Sequence, residues 1–270
     1  MTALILVCAF YAGRLGAGIA ASGGVRSETG SDAASGGVRS ETGSDAVSGG
    51  VRSETDSDAA SGEVKQELGT VVYDKITVVV DAGHGGIDSG KVGVNGALEK
   101  EVNLSIAKKL AARLEENGIT AVLTREEDSG LYDEGEANKK QQDMKRRCAA
   151  IDELEPFLAV SIHQNSYTES SVKGPQVFFY ESSAQGRELA AALQEALNEM
   201  LEIERPREIK ANDSYYLLRK TKSPTVIVEC GFLSNPEEAE KLVTDAYQET
   251  VAEAVCSGIL NYIGTHKEDA

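Results

Sequence analysis

The chain of 270 residues carries 44 acidic and 27 basic side chains, which gives a formal net charge of −17 at pH 7. This excess of acid argues against nucleic acid and anionic membrane surfaces as main partners, because both carry charge of the same sign. The four cysteines show no CxxC spacing, so the sequence indicates no disulfide framework and leaves at most a single bridge open.

The first segment, residues 1–21, combines a short apolar run with a following stretch of small residues. This pattern is typical of a signal peptide, although no basic residue precedes the apolar run. The run is short for a membrane span, yet an uncleaved N-terminal membrane anchor stays open as the alternative. Either interpretation predicts that the chain is exported.

The next segment, residues 22–70, is built from repeats. A unit of 13 residues begins at Ser22, recurs from Ser35 and Ser48, and fades after Ser61. Each unit offers only one or two valines, which cannot bury enough apolar surface to offset the entropy cost of ordering the backbone. We therefore expect residues 22–70 to be a disordered linker.

The remaining segment, residues 71–265, alternates strand patterns with helix patterns. The strands are predicted at 75–81, 119–124, 157–163, 175–180 and 225–229, and the helices at 102–116, 137–152, 185–201 and 236–263. This alternation predicts a single α/β domain with a mostly parallel mixed sheet of about six strands, flanked by helices on both faces. The charged segment 126–142 is expected to be a loop at the rim of the active site, or else only a solvated surface.

Two of the three histidines lie where buried strands are predicted to end. His84 follows the apolar run 76–80, and His163 closes the run 157–162, whereas His266 lies in a polar tail. Open α/β folds bind ligands at the carboxyl ends of their strands, and imidazole is a common zinc ligand. His84 and His163 are therefore candidate metal ligands. The alternative is two unrelated histidines that form hydrogen bonds at strand ends.

Three glutamates are candidates to complete such a site. Glu99 and Glu101 both lie near the predicted start of a helix, where they could bind metal or only favour the helix dipole, and their spacing does not distinguish them. Glu229 ends a third apolar strand pattern. A carboxylate in that position is costly unless it is paired, near a metal or catalytic. A structural glutamate in a salt bridge is the alternative for Glu229.

Four short motifs occur in a fixed order: DAGHGG at 81–86, LEK at 98–100 leading into Asn103-Leu104, SIHQNS at 161–166, and VECGFLSN at 228–235. Together they resemble the motifs of the zinc-dependent N-acetylmuramoyl-L-alanine amidases (amidase type 3) of bacterial cell walls. The resemblance runs from about Tyr73 to Ile263, and the chain looks most like the sporulation-associated amidase of endospore formers.

The resemblance implies roles for individual residues. His84, Glu99 and His163 would bind Zn²⁺ and Glu229 would be the catalytic carboxylate, which selects Glu99 over Glu101. The implied reaction is hydrolysis of the amide bond between N-acetylmuramic acid and L-alanine in peptidoglycan, during spore cortex formation or cell-wall remodelling. The partners would be glycan strands and stem peptides. The implied location is the cell envelope, either extracellular or anchored to the outer face of the membrane.

Two other functions compete with this one. The first is a zinc peptidase or deacetylase that acts on another wall substrate, although no HExxH motif supports a zincin-type protease. The second is a non-catalytic wall-binding domain.

Cys230, next to Glu229, is a departure from the family pattern. We expect its side chain to point to the opposite face of the strand and to act as a small buried hydrophobe.

Overall fold

A computed structural model of the protein describes residues 76–266. The predicted leader or anchor (1–21) and the repeat linker (22–70) lie outside the described residues. In the described part, the strands are β1 (Thr77–Ala82), β2 (Thr120–Leu123), β3 (Leu158–Asn165), β4 (Gln176–Tyr180), β5 (Lys210–Asn212) and β6 (Thr225–Phe232). The helices are α1 (Glu99–Glu116), α2 (Lys139–Leu154), α3 (Ala184–Met200), α4 (Tyr216–Lys220), α5 (Pro236–Leu242) and α6 (Asp245–Thr265).

The six strands form one mixed sheet in the order β2-β1-β3-β6-β4-β5. β1 is parallel to both β2 and β3, and β3 is parallel to β6, whereas β4 runs antiparallel to β6. The carboxyl ends of β1, β3 and β6 therefore meet at one edge of the sheet. In the β3–β6 register, His163 pairs with Glu229, so both side chains project from the same face. The predicted fold class is confirmed.

Helices cover both faces of the sheet. Alternate residues of β1 belong to different apolar clusters: Val78 and Val80 pack with α1, α3 and α6, whereas Val79 packs with α2 and α4. This is the alternation expected of a strand that is buried on both sides. Each fully buried valine, leucine or isoleucine side chain contributes about 1.5–3 kcal/mol, so the centre of the sheet is a rigid support for the residues at its edge.

Several elements differ from the sequence-based expectation. The prediction of one helix over 236–263 was wrong, because Thr244 is extended (φ −88°, ψ 137°) and separates α5 from α6. The break is stabilised by side chains: the Thr244 hydroxyl donates to the Lys241 carbonyl, and the Gln248 amide donates to the Leu242 carbonyl. Short β5 and α4 were not predicted. The segment 126–142 is a loop only up to residue 138, since Asn138 caps α2.

Two further properties concern the described residues alone. None of the helices within 76–266 is both long and apolar enough to cross a membrane. Cys148, Cys230 and Cys256 are all buried and free.

Candidate metal centre

His84 lies just beyond the carboxyl end of β1 in a backbone conformation that is unusual for its residue type. Its φ is +63°, in the left-handed region, which costs roughly 1–2 kcal/mol for a residue with a Cβ atom. The Gly83 amide continues the pairing with β3 by donating to the Ile162 carbonyl at 3.1 Å. His84 is therefore turned out of the strand at the sheet edge, and neighbouring contacts offset the cost of this conformation.

A buried polar network supports that turn. The Arg147 guanidinium, with no exposed surface, donates to the Asp81 carboxylate at 2.6 Å, the Ala82 carbonyl at 2.6 Å and the His84 carbonyl at 2.7 Å. Burial alone would raise the pKa of Asp81, but the Arg147 guanidinium and the hydroxyls of Ser161 and Thr124 hold it below its ordinary value. The backbone that carries His84 is thus fixed by a charged pair inside the protein.

A second arginine joins this turn to the start of α1. Arg125 donates through Nε to the Ala82 carbonyl at 2.9 Å, and through Nη2 to the Gly83 carbonyl at 3.2 Å and the Lys100 carbonyl at 2.7 Å. Since Lys100 follows Glu99, the arginine sets the distance between the two segments that carry His84 and Glu99.

Glu99 is the first residue of α1 and is only 2% exposed. Its Oε1 atom lies 3.2 Å from His84 Nε2 and 3.0 Å from His163 Nδ1, and it accepts a hydrogen bond from the Gln164 amide at 3.2 Å. Burial alone would raise the pKa of Glu99, but the hydrogen bonds from His163 and His84 hold it well below its usual range. Glu101 is exposed, so Glu99 is the glutamate that meets both histidines.

The three residues form a group that can hold a metal ion, since one ligand atom from each lies within 4.8 Å of the others. His84 also donates through Nδ1 to the Asp88 carboxylate at 2.9 Å. Burial lowers the pKa of His84, but Asp88 and Glu99 raise it to about 9 overall. An imidazole that bonds a carboxylate through its other nitrogen is typical of metal ligands. Two imidazoles and one carboxylate match the three protein ligands of catalytic zinc sites.

The ring of His163 packs directly against Gly83, where a side chain is absent. A Cβ atom on Gly83 would lie 2.3 Å from His163 Nε2, so no larger residue fits there without displacing the ring. The rings of His84 and His163 meet edge to face, with centroids 4.9 Å apart and planes at 76°. The glycine thus lets the two imidazoles approach each other at the sheet edge.

Glu229 differs from Glu99 in its partners. Among the described residues, its buried Oε2 atom has no hydrogen-bond partner and Glu229 forms no ion pair. Burial and the nearby Glu99 carboxylate raise the pKa of Glu229 to about 8, although His84 and Lys91 act in the opposite direction. No ion pair among the described residues supports the alternative of a structural glutamate in a salt bridge.

All four residues line one cavity of about 370 Å³. Its walls also include further polar and aromatic residues, namely Asp88, Lys91, Lys140, Gln164, Asn165, Ser166, Tyr215 and Tyr216. Lys140 belongs to the charged segment predicted at the rim of the site. Asp128 from the same segment accepts a hydrogen bond from the Gly86 amide at 2.8 Å, so this loop packs against the turn after His84.

Sequence reasoning missed three supporting residues, namely Asp88, Arg125 and Arg147. Asp88 follows His84 by four positions, but its contact depends on the turn between them. Arg147 carried a visible signal, because it shares the apolar face of α2 with Met144 and Ile151, where a buried charge needs a partner. Cys230 behaves as expected: it is buried in the core, and burial raises the pKa of its thiol to about 12.

Comparisons with known proteins match these observations. Residues 78–261 match the family model described as N-acetylmuramoyl-L-alanine amidase. The chain is 36% identical over 195 residues to the germination-specific N-acetylmuramoyl-L-alanine amidase of Bacillus subtilis, covering 71% of this chain and 81% of that protein.

Solved structures give the same result. The CwlD amidase of Clostridioides difficile, determined in complex with the GerS lipoprotein, matches with a TM-score of 0.69 and 37% identity, over 71% of this chain and 100% of that one. An N-acetylmuramoyl-L-alanine amidase of Clostridium difficile 630 matches with a TM-score of 0.64 and 30% identity, over 71% and 98% of the two chains. The chain therefore belongs to the N-acetylmuramoyl-L-alanine amidase family.

Proposed function

We propose that this amidase cleaves the bond between N-acetylmuramic acid and L-alanine in peptidoglycan with Zn²⁺ held by His84, Glu99 and His163, and with Glu229 as the catalytic acid–base. One observation carries the proposal. Three side chains that can hold a metal ion converge at the carboxyl edge of the sheet, beside a buried carboxyl group that has no hydrogen-bond partner at Oε2 among the described residues.

The chemistry divides between the metal and the carboxyl group. When bound, zinc supplies Lewis-acid polarisation of the amide carbonyl and makes a water molecule acidic enough to attack near neutral pH. Glu229 accepts the proton that the attacking water loses. It then donates this proton to the nitrogen of L-alanine as the C–N bond breaks, which leaves a free lactyl carboxylate and a free amine.

The relatives support a setting for this reaction. The matched proteins include a germination-specific amidase and the CwlD amidase, so we place the activity in spore cortex or cell-wall remodelling. Residues 1–21 would act as a leader or a membrane anchor, and residues 22–70 as a spacer between that segment and the catalytic domain. The enzyme would then act in the cell envelope, outside the membrane or anchored to its outer face.

Two measurements on the purified full chain test this proposal. Elemental analysis should find about one zinc per chain, and digestion of peptidoglycan should release stem peptides with a free L-alanine amine, as detected by mass spectrometry. A new amine on the sugar would indicate a deacetylase, a cut within the peptide would indicate a peptidase, and unchanged material would indicate a binding domain.

Histidine variants connect the activity to the site. His84→Ala and His163→Ala should lose zinc and activity, because a catalytic zinc site needs three protein ligands. His266→Ala is the matched control, since His266 lies at the end of α6 and bonds Glu188 instead. Normal zinc content in both site variants would contradict the proposed ligands.

A further inference from the structure

Lys91 is held beside the candidate metal centre by its backbone. Its amide donates to Glu99 Oε2 at 2.7 Å, and its carbonyl accepts from the Glu99 amide at 2.9 Å. The preceding Gly90 has φ +66°, and a Cβ atom there would lie 2.5 Å from Glu99 Oε2 and 2.7 Å from His84 Cδ2. The loop at 90–91 therefore packs directly on two of the proposed ligands, and this fixes the Cα atom of Lys91.

The side chain of Lys91 lines the same cavity and is exposed to solvent. It forms no ion pair among the described residues. Lys140, the other lysine of the cavity wall, is engaged: its ammonium lies 2.6 Å from the Asp88 carboxylate that bonds His84. Lys91 thus supplies a positive charge that acts on Glu229 through space but forms no salt bridge with a described carboxylate, in a cavity that also contains Asp88 and Glu99.

The chemistry of peptidoglycan, the substrate under the proposed function on which this inference rests, identifies a partner for the positive charge of Lys91. In intact peptidoglycan the lactyl carboxyl group is consumed in the scissile amide, and the hydroxyl and acetamido groups of the glycan are neutral. Carboxylates occur only on the peptide side. An acidic protein repels such a peptide unless a local cation offsets the repulsion.

The distance that the Lys91 side chain can span decides which residue of the stem peptide it contacts. An extended residue spans about 3.3–3.6 Å, so a cation in a loop that touches the metal ligands faces the first residues after the scissile bond. The first residue, L-alanine, has no free carboxylate within the stem. We propose that Lys91 binds the free α-carboxylate of the second stem residue, D-isoglutamate, and thereby makes the enzyme select stem peptides in which this group is not amidated.

The test uses two soluble muropeptides that differ only in D-isoglutamate against neutral D-isoglutamine, with the zinc-loaded full chain. Wild type should prefer the acidic substrate about tenfold in kcat/KM, the size of one hydrogen bond between charged groups in a solvated cleft. Lys91→Met should lose this preference because kcat/KM falls further on the acidic substrate than on the amidated one, whereas Lys91→Arg should keep it. Lys108→Met, which removes an exposed lysine of α1 outside the cavity, should behave as wild type.

Binding gives a second readout. In calorimetry, Lys91→Met should bind the acidic product peptide more weakly than wild type does. The two proteins should bind the amidated product peptide equally well. Equal activity of wild type on both substrates, or a preference retained by Lys91→Met, would overturn the role of Lys91 while leaving the amidase function intact. An equal loss on both substrates would also overturn it, since it would place Lys91 in the reaction or in folding. If wild type cleaved neither substrate, the proposed function would fail and this inference with it.

Discussion

Replacing Glu229 with glutamine keeps the volume of the side chain but removes its ability to accept a proton. If Glu229 moves the proton from water to the leaving nitrogen, turnover should fall by about 10²–10⁴. Zinc content should stay near that of wild type, because the three proposed ligands are untouched. Thus Glu229→Gln separates proton transfer from metal binding.

The structure also predicts an effect on stability without metal. The pKa of Glu229 is raised from 4.5 to about 8 by burial and by Glu99, so the folded metal-free protein keeps a proton that the unfolded chain releases. The corresponding stability is fully present below about pH 4.5 and is lost as pH rises through about 8. At about 1.36 kcal/mol for each pKa unit, the full loss is on the order of 5 kcal/mol at high pH.

Glutamine has no such titration. After chelation of metal, the free energy of unfolding of Glu229→Gln should therefore rise relative to that of wild type as pH increases from 5 to 9. The change over this range should be on the order of 4 kcal/mol. His84, whose pKa is raised to about 9, titrates in both proteins, so most of its contribution cancels when the two are compared. The assay is denaturant unfolding of both chelated proteins at several pH values, together with zinc analysis and turnover of a muropeptide.

Glu101→Gln provides the matched control, because Glu101 is exposed at the start of α1 and the chemical change is the same. It should leave turnover, zinc content and stability unchanged. Full activity of Glu229→Gln would refute its assignment as the acid–base. Loss of zinc would make Glu229 a ligand instead, and a stability difference that did not change with pH would refute the pKa argument.

Three further predictions follow from the same contacts. Glu99→Gln should weaken zinc binding, as measured by competition with a chelator, because a neutral amide is a poor zinc ligand; unchanged affinity would contradict its role. Arg147→Met should lower the free energy of unfolding by about 3–5 kcal/mol, because it leaves Asp81 buried and unpaired. Adding Asp81→Asn should recover part of that loss, and no recovery would show that the charge pair is not the cause. Deleting residues 22–60 should leave turnover of soluble muropeptides unchanged, and a large loss there would assign the repeats a role in catalysis.

The local pattern of apolar and polar residues was enough to predict the central strands and the candidate site residues at their ends. A strand buried on both faces needs a continuous apolar run, so β1, β3 and β6 are visible as runs that stop at a polar residue. His84, His163 and Glu229 follow from this pattern together with the rule that parallel strands present ligands at their carboxyl ends. Short elements carry weaker patterns, which is why β5 and α4 were missed, and a continuous helical pattern concealed the break at Thr244.

The tertiary structure decided which side chains meet. Spacing could not distinguish Glu99 from Glu101, since both lie in the first turn of α1. Only the packing of α1 against the sheet turns Glu99 toward His163, which is 64 positions away, and leaves Glu101 in solvent. In the same way, Arg147 reaches the turn at His84 only because α2 packs on the sheet beneath it. Such contacts depend on strand register and helix docking between distant segments, and no local stretch of sequence encodes them.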